Sequence, residues 1–336
     1  MRTADFHYDL PDDAIAQSAV QPRDSARLLD TRDMSDHRFK DLPSLLREGD
    51  LVVVNRTRVR PARLHGVKEG TGGRVEALLL RPGGDGSWEA LVRPARRIHE
   101  GTRLRFGEVR AVVAGSPAEG RVVLLPENGS LDDAMAADGE IPLPPYFHGH
   151  LDDPELYQTV YADRPGSVAA PTAGLHFTRA VLDDLERRGI DRAAVDLEIG
   201  LDTFRPISVD VIESHRMHQE RMRVDDDAAI AVKGARERGG RIVAIGTTVV
   251  RALESAATGD GLVEPGEGDT SLFITPGYRF TVVDLLVTNF HVPASTLVVL
   301  VAAFMGPGWR SAYAGALARG YRFLSFGDAM LGERAP

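Results

Sequence analysis

The stretch from Val282 to Met305 constrains the fold more than any other part of the chain. It begins with an apolar run over 282–287 that has hydrophobic residues on both faces, as expected of a parallel strand covered by helices on either side. A polar turn over 288–294 follows, and Ser295 is a natural N-cap for an apolar, interior helix. In open α/β sheets, ligands bind beyond the carboxyl ends of the strands. The first candidates for chemistry are therefore Thr288, Asn289 and His291.

The rest of the chain shows two different sequence patterns. Before residue 64 and after residue 146, apolar runs alternate with helices capped by residues such as Thr178 and Asp225. In between, short β-like runs are separated by Gly and Pro clusters, which is typical of a small barrel or sandwich. The sequence therefore predicts an α/β domain (1–63 and 147–336) with a layered, largely parallel sheet and flanking helices. It also predicts an inserted small β-barrel domain (64–146). Late strands are expected at Leu272–Thr275 and Phe323–Phe326.

Composition excludes several classes of protein. The chain has no cysteine, so disulfides, thiolate nucleophiles and Cys-based metal sites are excluded. Its formal net charge of −9 argues against indiscriminate nucleic-acid binding but allows a local basic patch. No apolar run approaches the length of a membrane span, and the N-terminus lacks the apolar core of a signal peptide. We therefore expect a cytoplasmic enzyme with no membrane partner.

Two further strand-to-helix junctions carry candidate site residues. Before the helix capped by Thr178 come Thr172, Gly174 and His176, where the free N–H groups of the helix favour an anion such as a carboxylate. His176 is either a base at this site or a buried structural histidine bonded to backbone. At the second junction, Thr247 and Thr248 begin a helix. Capping explains one hydroxyl and leaves the other for a ligand, with Arg251 one turn further on.

His215 and His218 suggest one alternative function. On a helix, residues three apart share a face, so with Glu213 or Glu220 as a third ligand they would serve a metal-dependent hydrolase. The spacing is not that of a zinc-protease helix. We therefore predict no metal.

Arginine clusters suggest a second alternative. One cluster contains Arg56, Arg58, Arg60 and Arg63, and another spans 93–105. In a non-catalytic RNA-binding protein, these side chains and the β insert would grip an anticodon arm with strong salt dependence. The polar turns predicted beside the core argue against this reading, because a mere binder has little use for histidines in a core crevice.

Several segments together resemble the S-adenosylmethionine:tRNA ribosyltransferase-isomerases of queuosine biosynthesis. The matches follow one another along nearly the whole chain, and they include Gly139–Tyr146, Gly166–Phe177, Gly246–Arg251, Thr288–His291 and Gly320–Phe323. Departures include Arg56, where the family usually has Asp, and Asp202, where it often has Gly. The resemblance implies an α/β domain with an inserted β-barrel.

The resemblance also implies an activity. The ribosyl part of S-adenosylmethionine is transferred to, and isomerised on, a 7-aminomethyl-7-deazaguanine base at the wobble position of tRNA. Epoxyqueuosine-tRNA forms, and adenine and methionine are released. S-adenosylmethionine is then a co-substrate, no added cofactor is needed, and the partner is a tRNA anticodon loop. We expect a monomer.

That chemistry requires particular groups. The sulfonium acidifies the neighbouring C5′ hydrogens of the ribose, and a histidine is suited to remove one. We hypothesise that His176 or His291 is this base and that His218 is a second acid/base group. The predicted substrate-binding residues are Thr172, Gly174, Thr247, Thr248, Asn289 and Arg251. The predicted tRNA-binding residues are Arg58, Arg60 and Arg63.

Overall fold

The computed structural model describes residues 1–118, 120–149, 151, 153–200 and 206–336, so Asp202 lies outside the described residues. Contacts divide the chain into two compact units. Met1–Arg58 and Pro144–Pro336 form the α/β unit, and Val59–Leu143 form the barrel unit. These limits lie a few residues before the predicted domain boundaries at 63/64 and 146/147. That the insert is a domain in its own right stays a prediction.

The strands of both units, in chain order, are β1 (Arg27–Asp30), β2 (Ser35–Arg38), β3 (Leu51–Asn55), β4 (Thr57–Val59), β5 (Arg63–Lys68), β6 (Arg74–Pro82), β7 (Trp88–Arg93), β8 (Arg103–Phe106), β9 (Val109–Ala118), β10 (Arg121–Asn128), β11 (Arg164–Ser167), β12 (Asp191–Leu197), β13 (Glu220–Val224), β14 (Ile242–Ile245), β15 (Gly266–Thr270), β16 (Leu285–Asn289) and β17 (Ala329–Glu333).

The α-helices are α1 (Leu42–Leu45), α2 (Leu131–Asp138), α3 (Arg179–Arg187), α4 (Asp226–Glu237), α5 (Thr247–Ser255), α6 (Thr296–Met305) and α7 (Gly308–Ala318). In the described part of the chain, no single helix is long and apolar enough to cross a membrane. Helices α6 and α7 reach the length and apolar composition of a membrane span only when they are taken together, and the chain bends by 114° between them.

A mixed sheet organises the α/β unit. Within the described residues it has nine strands, in the order β15-β13-β12-β3-β14-β16-β17-β1-β2. The four central strands β12, β3, β14 and β16 pair in parallel, and so do β1 and β17. The other neighbours pair antiparallel. The predicted layered α/β sheet with flanking helices is confirmed, with its continuous parallel part confined to the centre.

The central strands bury both of their faces. Leu51 and Val53 of β3 pack in the apolar layer that contains α4, α5, α6 and α7. Val52 and Val54 pack in the layer that contains α1 and α3. Alternate residues of a strand point to opposite faces, so a strand covered on both sides must be apolar throughout. This explains the continuous apolar runs, and it brings the carboxyl ends of β3, β14 and β16 to one edge of the sheet.

The barrel unit is a closed antiparallel barrel in the order β10-β7-β6-β5-β8-β9. In β8, Leu104 and Phe106 are buried and Arg103 and Arg105 are exposed, as a barrel with a filled interior requires. Gly66 lets β5 approach β8, because a Cβ there would lie 2.5 Å from the Phe106 ring. The predicted small β-barrel is confirmed.

Two of the predicted late strands are wrong. Leu272–Thr275 is irregular, and the strand lies just before it, at β15. Phe323–Phe326 forms a turn in which Leu324 has a φ of 69°, and the closing strand is β17. Most side chains of both segments are buried or half-buried. In these two segments the apolar residues correctly predicted burial, but they did not predict whether the segment pairs as a strand.

The stretch from Val282 to Met305 forms a strand, a turn and a helix, with a shifted strand. β16 begins at Leu285, and it includes Thr288 and Asn289, which the sequence had placed in the turn. The backbone N–H groups of Val282 and Val283 bind the Glu254 carboxylate instead of a neighbouring strand. Ser295 caps α6 as predicted.

Candidate active site

A cleft opens at the carboxyl ends of β14 and β16 in the α/β unit, and we call it the central cleft. It encloses about 580 Å³, including the solvent at its mouth. This is the edge at which α/β sheets bind ligands. Its polar lining residues are Tyr146, Thr172, Thr247, Thr248, Thr288, Asn289, His291, Ser295 and Ser325. These residues come from segments far apart in the sequence, and the sheet brings them together.

Asn289, the last residue of β16, connects Thr172 to His176. The Thr172 hydroxyl donates to Asn289 Oδ1 over 2.9 Å. Asn289 Nδ2 donates to the carbonyl of Asp328 over 3.3 Å, and it lies 3.2 Å from His176 Nε2. Because an amide nitrogen is a donor, His176 Nε2 accepts, and the imidazole is neutral with its proton on Nδ1. Thr172 and Asn289 line the cleft, and His176 supports Asn289 from behind.

His176 is a buried histidine that does not itself line the central cleft. Its ring packs against Phe39 with 5.0 Å between the centroids. Burial lowers the pKa of His176 to about 4. The charge of Arg322 acts in the same direction, and a backbone hydrogen bond with Arg23 opposes both. At neutral pH the ring is therefore uncharged, and it acts on the cleft through Asn289.

His291 lines the central cleft and is held firmly. Its Nε2 lies 2.9 Å from the Thr288 hydroxyl. Its backbone N–H donates to the Tyr313 hydroxyl over 3.2 Å, and its carbonyl accepts from the Tyr8 hydroxyl. Burial lowers the pKa of His291 to about 3. Of the three predicted catalytic histidines, it is the one that presents a neutral imidazole to the cleft.

The two buried histidines should make the stability of the protein depend on pH. Their folded-state pKa values, about 4 for His176 and about 3 for His291, lie below the ordinary value of 6.5. Below pH 6.5 the unfolded chain therefore binds more protons, and stability falls as the pH drops. Between pH 7.5 and 5 we expect each histidine to remove about 2 kcal/mol from the free energy of unfolding.

Denaturant unfolding at both pH values measures this effect. The His176→Asn and His291→Asn variants should each lose about 2 kcal/mol of the pH dependence. An unchanged dependence in both variants would contradict the buried, neutral state of the two rings.

Helix α5 contributes Thr247 and Thr248 to the cleft. Its N-cap, Gly246, has a φ of 92° and no side chain with which to cap the helix. Such a φ favours glycine. Both threonines are buried and line the cleft. The second predicted junction, at the start of α5, therefore lines the same cavity as Asn289 and His291 at the end of β16.

Arg251, one turn further along α5, does not line the cleft. Its guanidinium forms an ion pair with Glu220, and the two side chains are 4% and 2% exposed. His218 Nε2 lies 3.0 Å from the other Glu220 oxygen. We call Arg251, Glu220 and His218 the buried triad. Two residues predicted for the site thus belong together, in a cluster separate from the residues that line the cleft.

The premise of the metal-site alternative is wrong. Residues 215–219 are irregular and lead into β13, so His215 and His218 do not share a helix face. The His215 ring packs edge-on against Phe273, with 5.3 Å between the centroids. Among the residues that the structure describes, no group of three or more His, Asp or Glu side chains is placed to hold a metal ion.

The three arginines predicted to bind tRNA all make contacts within their own unit. In the α/β unit, Arg58 pairs with Glu155. In the barrel unit, the guanidinium of Arg60 lies 5.5 Å from the centre of the Trp88 ring. Arg63 exchanges backbone hydrogen bonds with Glu140 over 3.1 and 2.9 Å. Their role in RNA binding stays a prediction.

The cleft lining differs from the predicted substrate-binding set at further positions. Gly174 does not line the cleft, and packing requires a glycine there, because a Cβ would lie 2.1 Å from the Tyr161 hydroxyl oxygen. Tyr146 and Ser325 were not predicted, yet both line the cleft with their hydroxyls 2.5 Å apart. Tyr146 ends one of the matched segments, which was a usable signal. Ser325 lies two residues after another matched segment, Gly320–Phe323, which indicated the region but not the residue itself.

The fold and the cleft define a class of protein. It is an α/β enzyme with an inserted β-barrel. Its cleft presents hydroxyl, amide and imidazole groups for a small polar organic substrate.

Comparisons with known proteins identify the family. A sequence model described as queuosine biosynthesis protein matches residues 3–331. The S-adenosylmethionine:tRNA ribosyltransferase-isomerase of Symbiobacterium thermophilum is 50% identical over 98% of this chain and 99% of its own length. That of Anaeromyxobacter sp. is 51% identical over 100% of both chains. The crystal structure of S-adenosylmethionine tRNA ribosyltransferase from Thermotoga maritima is similar with a TM-score of 0.55 and 35% identity, covering 97% of this chain and 99% of that one. The chain therefore belongs to the queuosine biosynthesis protein family, which confirms the resemblance found in the sequence.

Proposed function

We propose that this chain is an S-adenosylmethionine:tRNA ribosyltransferase-isomerase and that the reaction takes place in the central cleft. The observation that carries the proposal is the convergence of Thr172, Asn289 and His291 on one cavity, in a chain half identical to relatives with this name. The ribosyl part of S-adenosylmethionine is transferred to 7-aminomethyl-7-deazaguanine at the tRNA wobble position and isomerised. Epoxyqueuosine-tRNA forms, and adenine and methionine leave.

His291 is the base in this proposal. The sulfonium stabilises negative charge that develops on the neighbouring C5′ carbon, and the imidazole of His291 is neutral at pH 7 and can take the proton. Burial makes this ring a weaker base than a free histidine, so its contribution depends on how it is positioned. The hydrogen bonds around His291 support this role, because they fix the backbone on both sides of the ring. Positioning of this kind lowers the barrier by preparing the reacting geometry before the chemical step.

Thr172 and Asn289 bind the substrate, and His176 positions Asn289. The Asn289 amide is tied to Thr172, His176 and Asp328, so its orientation is set before any ligand arrives. For His218 the acid/base role stays a prediction, because its contact is with Glu220. The partner is a tRNA anticodon loop. A monomer in the cytoplasm also stays a prediction.

The test is an assay with S-adenosylmethionine labelled in the adenine ring and tRNA that carries the aminomethyl base. We expect free adenine and a modified nucleoside in equal amounts, and no adenine without the tRNA. Activity should survive EDTA, whereas a metal-dependent hydrolase would lose it. Salt-dependent tRNA binding without adenine release would support the non-catalytic alternative and end the proposal.

A further inference from the structure

The start of α5 has no side-chain cap and faces the central cleft. This nine-residue helix has Gly246 as its N-cap. Within the described part of the chain, the N–H groups of Thr247 and Thr248 have no acceptor. The first N–H groups of a helix carry partial positive charge and need a partner from outside the helix. A small anion in the cleft would supply that partner.

A second, independent feature points to a ligand at the same place. Thr248 is 7% exposed and lines the central cleft. Its hydroxyl oxygen is buried and has no hydrogen-bond partner among the described residues. Buried polar groups in proteins are nearly always paired. A ligand with an acceptor oxygen at the start of α5 would supply the partner that this hydroxyl lacks.

The remaining lining favours a single negative group at this end of the cleft. None of the lining residues that the structure describes is Asp, Glu, Lys or Arg. The helix start is therefore the electrostatic feature to which an anion responds, and no acidic lining side chain repels it. A carboxylate has two oxygens. One can accept from the helix N–H groups, and the other can accept from the Thr248 hydroxyl.

We propose that the start of α5 binds the α-carboxylate of the amino-acid part of S-adenosylmethionine. The proposal rests on the proposed function and deepens it, because it fixes which end of the substrate lies at α5. Gly246 keeps the approach open. A Cβ there would lie 3.6 Å from the Thr248 hydroxyl oxygen and 3.7 Å from the Ala173 Cβ, in the space between the two segments.

Substitution of Thr248 tests the hydroxyl. Thr248→Val keeps the shape of the side chain and removes the donor, and Thr248→Ser keeps the donor. We expect Thr248→Val to raise the KM for S-adenosylmethionine about 10- to 100-fold. Thr248→Ser should stay within about threefold of the unsubstituted chain, and the KM for tRNA should not change in either variant.

The matched control is Thr296→Val. Thr296 begins α6 and also has a buried hydroxyl without a partner among the described residues, but it does not line the cleft. Its substitution should leave the KM for S-adenosylmethionine unchanged. An equal rise in Thr296→Val and Thr248→Val would assign the effect to packing and overturn the proposal.

An analogue that lacks the carboxylate distinguishes the proposed ligand from other anions. Decarboxylated S-adenosylmethionine should bind weakly to the unsubstituted chain and no more weakly to Thr248→Val. If the substitution weakens the analogue as much as the natural compound, the carboxylate is not at Thr248. If the substitution raises the KM for tRNA instead, the site binds an RNA phosphate, and the assignment is wrong.

Equilibrium binding separates this proposal from the proposed function. If the unsubstituted chain binds S-adenosylmethionine but releases no adenine, the proposed function fails. The comparison of binding to Thr248→Val and Thr248→Ser then still decides the carboxylate site. If the unsubstituted chain does not bind S-adenosylmethionine at all, with or without tRNA, both proposals fail.

Discussion

A His291→Ala variant should release adenine about 10²- to 10⁴-fold more slowly than the unsubstituted chain, because it lacks the proposed base. The loss should fall on kcat, with the KM for S-adenosylmethionine nearly unchanged, since proton removal belongs to the chemical step. Single-turnover assays with labelled substrate measure this rate directly. Thermal unfolding of the variant shows whether the cleft is still folded.

His176→Gln is the matched comparison for this prediction. His176 touches Asn289 and does not line the cleft, so its replacement should disturb substrate positioning more than proton removal. We expect a loss of less than about tenfold in kcat, with a rise in the KM for S-adenosylmethionine. If His176→Gln loses as much kcat as His291→Ala, or if His291→Ala is fully active, the assignment of the base to His291 is wrong.

An Arg251→Met variant should lower the free energy of unfolding by about 3–5 kcal/mol, because it leaves a buried carboxylate without its charged partner. The Glu220 side chain is 2% exposed and pairs with Arg251 and His218. Arg251 also donates to the Leu272 carbonyl over 3.1 Å, and that bond is lost too. Denaturant unfolding at pH 7.5 measures the change.

Two control variants show whether the lost stability comes from leaving a buried charge unpaired or simply from breaking an ion pair. The double variant Arg251→Met/Glu220→Leu removes both charges and should recover most of the lost stability. Arg103→Met breaks an exposed pair with Glu127, in which Arg103 is 63% exposed, and should cost less than about 1 kcal/mol. A loss below about 1 kcal/mol for Arg251→Met would mean that Glu220 is not confined as the structure describes. If that stable variant had a raised KM for S-adenosylmethionine, Arg251 would be a substrate-binding residue, as the sequence suggested.

Local signals in the sequence predicted local structure well. Thr178, Asp225 and Ser295 were predicted as N-caps, and each side chain accepts a hydrogen bond from the backbone N–H three residues further along. Such a bond depends on a few consecutive residues, which the sequence shows directly. The expectation that ligands bind at the carboxyl ends of parallel strands likewise placed Asn289 and His291 correctly at the cleft, because parallel strands have these ends at one edge of the sheet.

Contacts between distant segments were not predictable in the same way. Arg251 and His218 were assigned to the site one by one, but they share Glu220, and that contact depends on how α5 packs against β13. The closing strand β17 was missed because its partners, β16 and β1, are set by the order of the whole sheet. The family resemblance identified most cleft residues. It did not show that Gly174 serves packing or that Ser325 reaches the cleft.

The place of β17 in the sheet also constrains how a nascent chain can fold. β17 (residues 329–333) lies between β16 and β1. Among the strands that the structure describes, it is the one that connects the hairpin of β1 and β2 to the rest of the sheet, about 300 residues later in the chain. While the ribosome is still adding the intervening residues, that early hairpin has no place in the sheet. Until β17 has been synthesised, the edge of β1 that pairs with it is therefore unpaired, and an unpaired strand edge favours association with other chains.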